Sequence, residues 1–144
     1  MQHRTPRVVA VLLLWACQTP WAAEPVQTSS AVREAYADLP GVRLWYVDAG
    51  GGGVPVVFVH QATGSSRVWE HQVPAFVAAG YRGITYDRRG FGRSVIDPEG
   101  VPPRTGAGDL FGLLNYLGVD RAHLVGSAAG GGIGLDFAVS FSRR

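Results

Sequence analysis

Lysine is absent, cysteine and methionine occur once each, and no apolar run reaches the length of a membrane span. Each shortage excludes something. With Cys17 as the only cysteine, no disulfide closes within the chain and no thiolate metal site can be built, so an exported product relies on its core alone. The apolar stretch at residues 8–16 falls short of the roughly 20 residues a transmembrane helix needs. All 13 basic residues are arginine, and once Arg4 and Arg7 are set aside, eleven remain against the 11 acidic residues of the chain. Their signs interleave, so the basic face that nucleic-acid binding requires is missing.

What is present suits one globular domain: 144 residues, 47% hydrophobic and 17% charged. The first 23 residues have the layout of a secretory signal, with His3, Arg4 and Arg7 ahead of the apolar stretch and Pro20-Trp21-Ala22-Ala23 before Glu24. A cut after Ala23 puts Trp21 where a small residue is wanted. Leu14-Trp15-Ala16-Cys17 resembles a bacterial lipobox instead, in which Cys17 is lipidated and becomes the new N-terminus; one lipid alone anchors weakly. Both processing routes remain open, and the expected location is periplasmic or secreted, with membrane contact only through the signal or a Cys17 lipid. Residues 24–30 are polar and suit a tether, and residues 31–144 make the folded domain.

Within that domain Val42, Leu44 and Tyr46 alternate with Arg43, Trp45 and Val47, which predicts a half-buried strand ending at four glycines. Residues 54–59 are almost uninterrupted apolar and predict a strand covered on both faces, as in a parallel sheet. Ser65 and Ser66 offer N-caps for a helix carrying Trp69, Val73, Phe76 and Val77, irregular at Pro74 and ended by Gly80. Further strands are expected at 83–86 and 122–125, with helices at 109–117 and 130–140. Strand and helix alternate, so the fold class is α/β.

Three junctions carry the chemistry. Val57-Phe58-Val59-His60-Gln61-Ala62-Thr63-Gly64 follows the first apolar strand with a tight loop. Asp87-Arg88-Arg89-Gly90-Phe91-Gly92-Arg93-Ser94 follows the second, its glycines permitting left-handed turns. Leu124-Val125-Gly126-Ser127-Ala128-Ala129-Gly130-Gly131 takes a strand into a helix. In this order the segments resemble the α/β-hydrolase family, in particular its branch of esterases, lactonases and C–C hydrolases, over roughly residues 31–144.

That resemblance implies a role for each. The backbone N–H groups of Ala62 and Ala129 fall where the family builds its oxyanion hole, although Gln61 replaces the usual glycine. His60 is a structural brace, and Asp87, Arg89, Gly90 and Gly92 hold an architectural loop in which Asp and Arg pair. Gly126 and Gly130 frame the nucleophile elbow, whose nucleophile position is Ala128, and a methyl group attacks nothing. Ser127 is a neighbouring hydroxyl, but a one-residue slip at a strand end turns a side chain to the other face.

The family's order is nucleophile, acid, histidine. After Ala128 come sixteen residues with Asp136 and no histidine, and His71, His123 and Asp136 fit structural or solvated positions. The expectation is the N-terminal part of an α/β-hydrolase sheet, mostly parallel with flanking helices. Its C-terminal strands are missing, 122–125 forms an exposed edge, and the triad stays unclosed. By resemblance the substrate is a small ester, a lactone or an activated C–C bond, with neither metal nor organic cofactor, and this chain is inactive on it. The alternative is an exported, non-catalytic ligand-binding or scaffold protein on the same fold.

Overall fold

A computed structural model describes residues 31–97 and 105–142; the signal, the tether and Cys17 lie outside the described residues. A hairpin opens the domain, β1 (Arg33–Leu39) and β2 (Val42–Asp48), paired antiparallel and turned at Gly41 with φ 77°. Val42, Leu44 and Tyr46 are buried as the alternation predicts, while Arg43 is exposed. β1, with the weakly patterned sequence REAYADL, is a strand by virtue of its partner and not of its own periodicity.

β3 (Pro55–Val59), β4 (Arg82–Tyr86) and β6 (His123–Gly126) run parallel, and the short β5 (Val95–Ile96) pairs with β2. The main order is β1-β2-β4-β3-β6, so the sheet is mixed, with its parallel half at the β6 side. β3 is buried on both faces: Val57 and Val59 join the larger core cluster, and Val56 and Phe58 the smaller. That double burial is why its sequence does not alternate. Among the described residues β6 is the outermost strand of its side.

The helix expected from Ser65 divides into a 3-10 turn, Ser66–Trp69, and α1 (Gln72–Ala78). Ser65 makes no side-chain cap, and the Ser66 N–H goes instead to the Asp87 carboxylate at 2.7 Å. Restarting after the turn places Pro74 in the first turn of α1, where its missing N–H costs little. α1 packs Val73 and Val77 on Gly83, where an added Cβ would lie 2.9 Å from Val73.

On the opposite face lie α2 (Gly106–Tyr116) and α3 (Ala129–Ser140). α2 starts three residues before the expected Asp109, because the Thr105 hydroxyl caps the Gly108 N–H at 3.0 Å and offsets two glycines in the first turn. Leu110, Leu113 and Leu114 form its buried stripe. α3 buries Phe137 but leaves Leu135 and Val139 largely exposed, at 73% and 83%. No helix among the described residues is long and apolar enough to cross a membrane.

One ion pair ties α2 to the loop after β4. Arg89 donates to both oxygens of Asp109, at 2.7 and 2.9 Å, and to the Gly41 carbonyl at 2.7 Å. The Asp109 side chain is 3% exposed, and removing one partner of such a pair leaves a buried charge uncompensated. Asp109→Ala is expected to lose about 3–5 kcal/mol of unfolding free energy, read by urea denaturation, whereas exposed Asp38→Ala loses under about 1 kcal/mol.

Candidate functional site

The junction between β6 and α3 is a sharp elbow. Ala128 sits at φ 47°, ψ −114°, and is the one non-glycine with positive φ among the described residues. Backbone of this kind costs an L-residue about 1–3 kcal/mol and persists where its surroundings over-determine it. Here they do: Ser127 N–H donates to the Val59 carbonyl (3.1 Å), Gly130 N–H to the Ser127 carbonyl (2.8 Å), and Gly132 N–H to the Ala128 carbonyl (3.2 Å).

Gly126 and Gly130 are required by close approach. A Cβ on Gly126 would lie 2.5 Å from the Gly130 carbonyl, and one on Gly130 would lie 2.1 Å from the Val59 oxygen and 2.8 Å from the His60 oxygen. The same contact sets the start of α3 against the end of β3, and so brings Ala129 and Ala128 towards the loop that carries Ala62. Ala62, Ala128 and Ala129 are all exposed. No hydrogen bond within the described residues occupies the N–H of Ala62 or of Ala129.

His60 is fully buried, and both ring nitrogens are engaged. Arg88 N–H donates to Nε2 at 3.0 Å, so the proton sits on Nδ1, which donates to the Gln61 carbonyl at 2.6 Å. Arg88 also reaches the His60 carbonyl through its guanidinium at 3.2 Å. The imidazole thus joins the two loops as a neutral brace and has no nitrogen left to serve a nucleophile. Burial lowers its pKa, the Arg88 charge lowers it further, and the bond to Gln61 only partly opposes them.

In the second loop the partners differ from the expected pairing of its own Asp and Arg. The buried Asp87 carboxylate accepts two backbone N–H groups, Ser66 and Arg93, each at 2.7 Å, while Arg89 pairs with Asp109. The reason is geometric: the left-handed glycines Gly90 (φ 79°) and Gly92 (φ 54°) fold the loop back over Asp87, and a Cβ on Gly92 would lie 2.1 Å from its Oδ2. Asp109 is the residue whose part in this site the sequence did not single out; an acid in a helix's first turn reads as a dipole partner.

The remaining candidates lie apart. Ser127 is half-buried, and its recorded bonds are made by its main chain. His71 is solvated beside Glu70 (3.7 Å), His123 meets Tyr81 edge-on at 6.4 Å, and Asp136 is exposed on α3 with Ser140 at 3.4 Å. No group of three His, Cys, Asp or Glu side chains converges on a common point among the described residues.

His60 generates a pH dependence. Its folded pKa lies below the ordinary 6.5, so between those two values the unfolded chain binds the proton and the folded chain does not. Stability is therefore full above pH about 6.5 and declines as the pH falls below it. Urea midpoints measured from pH 8 to pH 5 should show this decline, and His60→Gln should be less stable throughout and flatter below pH 6.5.

Residues 54–144 match the family described as alpha/beta hydrolase fold. A non-heme chloroperoxidase of Kitasatospora aureofaciens is 44% identical over 92 residues, 64% of this chain and 33% of its own. A 2-hydroxy-6-oxo-6-phenylhexa-2,4-dienoate hydrolase of Comamonas testosteroni is 33% identical over 121 residues, 81% of this chain and 42% of its own. The crystal structure of epoxide hydrolase A from Mycobacterium thermoresistibile superposes with a TM-score of 0.71 at 33% identity, over 79% of this chain and 37% of that one. The chain thus spans about a third of the length of the curated relatives it matches. The strained elbow, the loop-bracing histidine and these similarities agree, and the chain belongs to the α/β-hydrolase fold family.

Proposed function

We propose that this chain is an exported member of the family whose elbow runs no nucleophilic chemistry. The carrying observation is Ala128: the backbone at the nucleophile position keeps a φ of 47°, yet the side chain it presents is a methyl group. Acyl transfer splits a difficult step in two by forming a covalent bond to the enzyme, and a methyl group forms none. Ser127 gains no base from the nearby His60, because both ring nitrogens of that histidine are committed to backbone partners. The small ester, lactone or C–C substrates that the family resemblance implies would then be bound at the elbow without being cleaved.

A second reading, a non-catalytic ligand-binding or scaffold protein, is favoured by the free N–H groups of Ala62 and Ala129. Exposed backbone donors at a strained turn still attract a carbonyl or carboxylate oxygen when the nucleophile is gone. Export rests on the basic and apolar opening of the chain, residues 1–23, and a lipid on Cys17 would tether the product to a membrane.

Hydrolysis of p-nitrophenyl acetate by the full chain tests the first point. The unmodified protein, Ser127→Ala and Ala128→Ser are all expected to match the buffer rate, the last because no histidine among the described residues stands ready to deprotonate the new hydroxyl. Turnover in the unmodified chain that disappears in Ser127→Ala would make Ser127 the nucleophile and end this reading. Expression in a bacterium tests export: the product should appear outside the cytoplasm with a mass lowered by loss of its first 16 or 23 residues, and a full-length cytoplasmic product contradicts it.

A further inference from the structure

A cavity of about 590 Å³ lies on the α1 face of the sheet, between β2, β4 and the 3-10 turn with α1, and none of residues 126–130 lines it. That volume is in the range that holds a small organic ligand. Its lining brings together the indoles of Trp45 and Trp69, apolar walls at Val73 and Pro74, and charged groups of both signs. Three carboxylates, Glu34, Glu70 and Asp87, stand against two guanidinium groups, Arg67 and Arg93, so the lining carries an excess of negative charge. Indole faces beside carboxylates favour a cation: the ring quadrupole attracts it, and the carboxylates compensate its charge.

The cavity already holds such a group. The Arg93 guanidinium lies over the Trp45 ring at 4.6 Å and pairs with Glu34 at 3.4 Å, and all three residues belong to the lining. Trp45 is held for this contact by the edge-on ring of Tyr36 at 4.9 Å and by the bond from its main-chain N–H to the Ser94 hydroxyl at 3.0 Å. Arg93 is anchored differently. Its main-chain N–H, not its side chain, makes the 2.7 Å bond to Asp87 that holds the loop, and the side chains of Arg93 and Glu34 are 57% and 53% exposed. An exposed pair contributes little to stability, so the guanidinium can swing into solvent with the loop left in place. What remains is an indole face beside a carboxylate, with one guanidinium, Arg67, against three carboxylates in the lining among the described residues.

We propose that this cavity binds a guanidinium carried on an apolar stem, with the planar cation on Trp45 and Glu34 in place of Arg93 and the stem against Trp69, Val73 and Pro74. Arg93 is a built-in occupant that the ligand displaces. A guanidinium suits the site better than an ammonium, because its flat, weakly hydrated face stacks on an indole while its edge donates to a carboxylate. The site is separate from the elbow and independent of whether the elbow is catalytic.

Tryptophan emission of the full chain, titrated with butylguanidine and with butylurea, tests it. The two compounds share a shape and differ in charge; the cation should saturate and the neutral one should not. Glu34→Gln should weaken butylguanidine roughly fivefold and Arg93→Ala should tighten it by a similar factor, each through the loss of one partner of an exposed ion pair. A gain of affinity in Arg93→Ala is an effect that damage to the fold does not produce. Acetyl-Gly-Arg-Gly-amide distinguishes the source: tighter binding than butylguanidine assigns the site to an arginine of a partner protein, weaker binding to a small guanidinium compound. Butylurea binding as tightly as butylguanidine, unchanged affinity in Glu34→Gln, unchanged or weaker cation binding in Arg93→Ala, or no saturation by the cation in the unmodified chain and in Arg93→Ala alike would each overturn the assignment.

Discussion

Between the Val59 carbonyl and the first turn of α3 there is no room for a side chain: a Cβ on Gly130 would stand 2.1 Å from that oxygen. Much of the site follows from this contact. The helix starts hard against the end of β3, the chain between β6 and α3 has only two residues in which to turn, and Ala128 is forced to positive φ. The Ser127 N–H bond to the same Val59 carbonyl fixes the turn from the other side. Backbone close-packing, not side-chain chemistry, builds the elbow.

An elbow built in this way does not depend on the side chain at its apex. The hydrogen bonds that hold φ and ψ at residue 128 are all made by the main chain, so the strained turn does not depend on which small side chain it presents. The braces on the neighbouring loops persist as well. His60 bonds to Arg88 and Gln61, and Asp87 gathers two backbone N–H groups, in both cases satisfying buried polar groups that would otherwise be left bare. These residues serve the loops first, and chemistry only through them.

The two faces of the sheet then differ in what they can offer. On the α2 and α3 side, Ile84, Tyr86 and the leucines of α2 close a continuous core, and the Arg89–Asp109 pair pins the loop after β4 to that helix. On the α1 side the core is small, and α1 with its preceding turn covers β3 and β4 but leaves a walled space over β2.

Sequence by itself determined the elements whose signal is local. The double burial of β3 was legible in its apolar run, the half-burial of β2 in its alternation, the leucine stripe of α2 in its spacing, and the elbow in the glycines that flank Ser127 and Ala128. Tertiary structure alone decided what depends on partners distant in the chain. β1 becomes a strand because β2 pairs with it along seven residues. The expected helix after Ser65 breaks because Asp87, 21 residues on, takes the Ser66 N–H. Arg89 chooses Asp109 over Asp87 because the glycine turns have already committed the Asp87 oxygens to the backbone. Periodicity and turn chemistry report the neighbours along the chain, whereas the owner of a buried charge or N–H is set by which segments the fold brings within hydrogen-bond reach.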